Sequence, residues 1–89
     1  MDNIEAKIFA AQLNRDIPTL DLHGLYPNEA LEKLELFLFE NYANREEKVV
    51  RVIYGGGTGR LGEAVRACLN GHKLVLKTVI EHGSCLVII

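Results

Sequence analysis

Tryptophan is absent from this 89-residue chain, methionine occurs once, and proline and cysteine occur twice each. Two cysteines at unrelated positions make neither a disulfide framework nor a C-x-x-C metal knuckle. Cys68 falls at an apolar helical position and Cys85 in an apolar run, so both are expected as buried, reduced thiols, which suits a cytoplasmic protein. No apolar stretch comes near the roughly 20 residues that span a bilayer. The opening MDNIEAKIF places two acids before its first base and has no apolar core, unlike a secretory leader. Nor does positive charge dominate. The net charge is −2, so the chain lacks the basic footprint usual in generic nucleic-acid binders.

What is present is ordinary for one folded domain: 48% apolar and 25% charged residues. The charge is unevenly spread. Residues 1–47 hold ten acids and four bases, whereas residues 48–89 hold two acids and six bases (Lys48, Arg51, Arg60, Arg66, Lys73 and Lys77). One face of the fold could therefore meet phosphates while another repels them, unless these charges simply scatter over the surface.

The spacing of apolar residues predicts a leading helix over 3–14, within an N-terminal helical extension over 1–16, and a strand over 17–22. Leu20 and Leu22 fall on one face of that strand, and Asp21 and His23 on the other. Pro27 opens a helix that runs to about Ala43. Its stripe is Leu31, Leu34, Leu38 and Tyr42, widened by Ala30, Phe37 and Phe39. Residues 44–47 read as a polar turn and Lys48 to Tyr54 as a strand apolar enough to lie inside a sheet. Leu61, Ala64, Val65, Cys68 and Leu69 form the face of a third helix, which Gly71 stops. Residues 74–80 and 85–89 read as a hairpin turning at Gly83, with His72 and His82 in exposed turns. The order α-β-α-β-α-β-β predicts an α/β fold with a four-stranded mixed sheet, its first two strands parallel through a right-handed crossover.

The stretch YGGGTGR, residues 54–60, joins the second strand to the third helix. A glycine-rich turn there exposes backbone N–H groups at a helix N-terminus, where they and the helix dipole attract anions. Thr58 is the one side chain inside GGGTG, and Arg60 on the first helical turn can add a charge-assisted bond to phosphate. Neither Gly55 with Arg60 nor Gly57 with Gly62 completes a Walker A pattern. Gly57-Thr58-Gly59-Arg60-Leu61-Gly62 does match G-x-G-x-x-G, with Glu81 where a ribose partner would lie. Only eight residues follow Glu81, and the loop sits in the second strand–helix unit, which both speak against a dinucleotide-binding sheet. A tight turn without a ligand is the plainer alternative.

LDLHG, residues 20–24, places Asp21 and His23 at the carboxyl end of the first strand. Sites in open parallel sheets form at the carboxyl ends of strands, so these two residues and the glycine loop should converge. A His beside a carboxylate can act as a general base near neutral pH, and a helix N-terminus can hold a phosphodiester. A purely structural Asp–His pair is the alternative.

Together, LDLHG and YGGGTG resemble the two signatures of the Smr (small MutS-related) domain family, an L-D-x-H/R-G stretch and, after the next strand, H-G-x-G-x-G. The helix PNEALEKLELFL between them, the following helix and the terminal hairpin fit the same layout, so the resemblance covers residues 17–89. It implies a two-layer α/β sandwich and a DNA-nicking or RNA-cleaving endonuclease, acting for example on repair intermediates or on messenger RNA at ribosomes. The first motif carries over to Asp21 and His23 as catalytic residues. The second carries over to Gly55, Gly57 and Gly59, with Tyr54, Thr58 and Arg60 beside them at the phosphate. Tyr54 stands where the second motif usually has His, and a phenol can donate to phosphate but is a weak base. Gly56 and Gly62 stand where basic residues are frequent. His23 would activate the attacking water or 2′-hydroxyl, and Asp21 would orient it or help hold a divalent cation such as Mg²⁺. No carboxylate cluster reads as a two-metal site. A non-catalytic nucleic-acid-binding or adaptor module, or a small-ligand binder using the same loop, remain the alternative functions.

Overall fold

A four-stranded sheet with strand order β1-β2-β4-β3 organises the molecule. The structure is a computed structural model that describes residues 3–13, 17–43 and 49–89. The elements follow the expected order: α1 (Asn3–Leu13), β1 (Thr19–Asp21), α2 (Pro27–Ala43), β2 (Val49–Ile53), α3 (Arg60–Asn70), β3 (Lys77–Glu81) and β4 (Ser84–Ile88). Asn14, the expected polar turn at 44–47 and Lys48 lie outside the described residues.

β1 and β2 are parallel, with Asp21 opposite Ile53, and α2 makes the crossover between them. β4 then inserts between β2 and β3, antiparallel to both. Composition explains the insertion. Cys85, Leu86, Val87 and Ile88 are all buried, so β4 needs cover on both faces and takes a central place. β3 carries Lys77 and Glu81 and accepts the edge, where charge discourages pairing with other chains.

Alternation along the strands builds two cores. On one face Leu22, Val50, Val52, Tyr54, Cys85 and Val87 pack beneath Ala30, Leu34 and Leu38 of α2 and Val65 and Leu69 of α3. On the other, Ile17, Val49, Leu86 and Ile88 pack with Ile8 of α1. The two-layer arrangement of α2 and α3 on the sheet thus gains a partial third layer from α1. Burying a leucine such as Leu34 contributes about 1.5–3 kcal/mol, so the α2 stripe is a principal fastening of helix to sheet.

Four expectations need correction. Phe39 is 66% exposed and Tyr42 43% exposed. Phe39 is rotated about 100° from Leu38, off the buried stripe, and Tyr42 falls in the last turn of the helix. Residues 74–76 precede β3 rather than opening it. Lys77 already pairs with Ile88, the last residue of β4, so only a bond from the Leu76 N–H to the Ile88 carbonyl extends the ladder (2.7 Å). His72 is not an exposed turn residue. Its side chain is 11% exposed, Nε2 lies 2.9 Å from Glu35 Oε1, and Nδ1 accepts the Leu74 N–H (3.1 Å), tying the turn after α3 to α2. Cys85 is buried as expected, its thiol pushed up to about 11 by desolvation, but Cys68 is only half-buried and faces Glu35.

Candidate functional site

The end of β1 places Asp21 and His23 in the open. Their side chains are 51% and 71% exposed, yet they are tightly joined. Asp21 Oδ1 accepts the His23 backbone N–H (3.1 Å) and lies 2.6 Å from His23 Nδ1. Those bonds hold the Asp21 carboxyl below its ordinary value, chiefly through the ring and then the backbone N–H of His23. An ionised carboxylate only accepts, so the neutral imidazole carries its proton on Nδ1 and leaves the lone pair on Nε2. The sequence spacing D-x-H therefore produces an oriented imidazole at the carboxyl edge of the sheet.

The end of β2 supplies the second part. Gly55, Gly57 and Gly59 have φ of 77°, 44° and 85°, a left-handed region that glycine enters without penalty. The alternation of glycine in YGGGTG is thus the conformational requirement of this turn. It is anchored by the Gly55 N–H bonded to the Gly83 carbonyl (2.9 Å) and the Gly59 N–H bonded to the Gly56 carbonyl (3.0 Å). Among the described residues, no group engages the N–H of Gly56, Gly57 or Thr58. α3 starts at Arg60 without a side-chain cap, so its dipole faces the same space. Thr58 and Arg60 are both exposed here, with Thr58 Oγ1 3.4 Å from the Arg60 N–H.

The two parts meet. A Cβ placed on Gly55 would stand 3.4 Å from the Cβ of His23, so the imidazole rises directly beside the loop. Among the described residues, no group of three or more His, Cys, Asp or Glu side chains is placed to hold a metal ion. The Asp21–His23 pair accordingly does not form a cation cage.

Tyr54 turns inward. It is 6% exposed, and its hydroxyl donates to the Ser84 carbonyl (3.1 Å). Its ring packs against α3 at Gly62, where an added Cβ would come within 2.8 Å of Tyr54 Cδ1 and of Arg66 Nη1. The Arg66 guanidinium stacks over the ring at 5.4 Å from its centre, within cation–π range. Gly62, the last residue of the G-x-G-x-x-G match, therefore serves the packing of Tyr54 and not a pyrophosphate. A phosphate donor at Tyr54 would have to come from a hydroxyl already committed to Ser84.

Two residues near the loop escaped the reading of the sequence. Arg66 lines a pocket with Gly55, Gly56, Gly59 and Gly62 that extends to His82, and so brings a fixed cation to the glycine loop. Its position four residues after Gly62 was visible, but means something only once Tyr54 is known to lie between them. Tyr26, 74% exposed, lines a second pocket on the other flank of the loop. Its signal was an aromatic residue directly after LDLHG-Leu and before the helix-opening Pro27.

With this geometry in place, similarity to known proteins is informative. Residues 20–84 match the family model of the Smr domain. The chain is 42% identical over 67 residues to endonuclease MutS2 of Pelotomaculum thermopropionicum, covering 74% of this chain and 8% of that protein. It is 40% identical over 58 residues to endonuclease MutS2 of Thermomicrobium roseum, covering 65% of this chain and 7% of that protein. The chain thus spans less than a tenth of the length of these curated relatives. The crystal structure of the Smr domain of Thermus thermophilus MutS2 superimposes with a TM-score of 0.76 at 31% identity, over 81% of this chain and 96% of that one. The solution structure of the B3BP Smr domain gives 0.70 at 31% identity, over 97% and 90%.

Proposed function

We propose, since this chain belongs to the Smr domain family, that it binds nucleic acid and cleaves its phosphodiester backbone at the Asp21–His23 pair. The observation that carries this reading is the imidazole fixed 2.6 Å from Asp21 and set against Gly55 of the loop. In the proposed reaction the backbone N–H groups of Gly56, Gly57 and Thr58 hold the non-bridging oxygens of the scissile phosphate. Nε2 of His23 accepts the proton of a water or a ribose 2′-hydroxyl as its oxygen bonds to phosphorus. The P–O bond to the leaving oxygen then breaks, that oxygen keeping the bonding pair and taking a proton from solvent, and the imidazolium returns its own proton to water. Asp21 keeps the imidazole in the correct tautomer and stabilises the imidazolium that forms. Charge developing on the phosphate meets preorganised N–H dipoles, the start of α3 and the guanidinium of Arg60 or Arg66. The reducing cytoplasm is the proposed setting, compatible with two free thiols.

A second reading is a non-catalytic nucleic-acid-binding module. The inward-turned Tyr54 favours it, because the loop then offers no second proton-transfer group at the position where the family's motif usually has His. The readings separate when the pure chain is incubated with supercoiled plasmid and with structured RNA, with and without Mg²⁺, beside His23→Ala. Cleavage by the wild type that His23→Ala loses supports the first. Salt-sensitive binding without cleavage supports the second. Undiminished cleavage by His23→Ala overturns His23 as the base.

A further inference from the structure

Tyr26 presents its side chain to solvent, 74% exposed, from a backbone held by a helix bond on one side and a proline on the other. Its carbonyl accepts the Ala30 N–H (2.9 Å), which makes it the N-cap residue immediately before α2. Pro27 follows it and restricts its backbone to extended conformations. Fixing its ring costs little entropy, because only two side-chain torsions need settle.

The ring borders a cavity of about 300 Å³, at the small end of ligand sites. Leu25, Tyr26 and Leu61 line it, as do Gly56, Gly57 and Thr58, whose N–H groups no described residue engages. An apolar platform and a row of anion donors in one cavity match the two ends of a nucleotide, a flat base and its phosphate. An apolar protein segment would leave the N–H groups unsatisfied, and a free phosphate would leave the platform bare.

We propose that Tyr26 is a base-stacking platform, so that the site takes an unpaired nucleotide next to the phosphate held by the glycine loop. A base inside a duplex has both faces covered by its neighbours and cannot offer one to Tyr26. The substrate class is therefore single-stranded, looped or frayed nucleic acid. This inference rests on the nucleic-acid reading above and adds the strandedness that reading leaves open.

The test is binding of a fluorescein-labelled oligonucleotide, as a single strand and as its duplex, to the wild type, Tyr26→Ala and Tyr26→Phe. Loss of one stacked base weakens single-strand binding by roughly 5- to 150-fold in Tyr26→Ala, whereas Tyr26→Phe stays within about two-fold of the wild type. Duplex binding stays equal in all three. The single strand also quenches the wild type's tyrosine fluorescence, and Tyr26→Phe loses that part of the quenching while keeping its affinity. The inference is overturned if Tyr26→Ala binds the single strand like the wild type. It is equally overturned if that variant loses single strand and duplex alike, or if the wild type prefers the duplex. A wild type that binds neither form overturns the nucleic-acid reading as well. A wild type that binds and cleaves while Tyr26→Ala is neutral overturns the stacking role alone.

Discussion

Two strand-to-helix loops leave the carboxyl edge of the sheet side by side, one after β1 and one after β2, and they carry chemistry in different parts of the chain. The first uses a single left-handed residue, Gly24 (φ 80°), and displays side chains: Asp21, His23 and Tyr26. The second uses left-handed glycine at positions 55, 57 and 59, and displays N–H groups. One loop is specified by what its side chains touch, the other by the dihedral angles its backbone must reach. Substitutions should therefore fail differently. In the first loop, side-chain replacements at Asp21, His23 and Tyr26 should remove reactivity or binding and spare the fold. In the second they should strain the backbone and, through it, the anion donors.

The largest effect expected is in the first loop. His23→Ala should lower cleavage by about 10²- to 10⁴-fold, the usual worth of a general base. Its side chain is 71% exposed, so thermal unfolding should place its stability within about 0.5 kcal/mol of the wild type. A variant that lost stability in step with activity would erase the contrast. Next comes Gly62→Ala, whose methyl meets Tyr54 and Arg66 at 2.8 Å. Overpacking of that kind costs about 1–3 kcal/mol, read as a lower denaturant midpoint. Gly59→Ala has open space around it but keeps a φ of 85°, so about 1–2 kcal/mol of strain is expected, together with weaker nucleic-acid binding. Gly24→Ala, with comparable strain and equally open space, should lower stability similarly while leaving the glycine loop's amide signals in place. Tyr54→Phe removes the bond to the Ser84 carbonyl and should cost about 0.5–1.5 kcal/mol.

The smallest effect is electrostatic. Because the folded Asp21 carboxyl lies below its ordinary 3.8, the native state binds its proton less readily than the unfolded chain does. Its stabilisation is present above that value and is lost as pH falls through the lowered folded value. Solvent screening of a half-exposed pair keeps it small. Asp21→Asn should flatten the acid limb of a melting-temperature profile slightly, while cleavage falls because the imidazole loses the partner that fixes its tautomer.

The sequence was most legible where structure depends on local period. The alternation in LDLH placed Leu22 in the core and Asp21 and His23 outside it, as the structure has them. The apolar spacing in EALEKLELFL likewise put Leu34 and Leu38 on the core-facing stripe of α2 with Ala30 at its margin, and all three are buried, whereas Leu31 is only partly so. It was less legible where structure depends on distant partners. That β4 enters between β2 and β3 follows from pairing residues more than 30 apart in sequence, for which no local pattern exists. The pairing of His72 with Glu35 joins the turn after α3 to the middle of α2, which neighbour each other only after α3 packs on α2. The family resemblance set Tyr54 beside the phosphate, but its β2 register directs it under α3 with Val50 and Val52. Gly62 then changes meaning, from part of a nucleotide fingerprint to the space that a tyrosine ring requires.

The central claim is that both loops act on one phosphate. A single titration addresses it: ¹H–¹⁵N amide shifts of the labelled chain as a short phosphorothioate single strand, which resists cleavage, is added. The account predicts that the amides of Gly56, Gly57 and Thr58 and that of His23 move together along one binding curve. Movement of the glycine-loop amides with His23 unaffected, or of His23 alone, would contradict it.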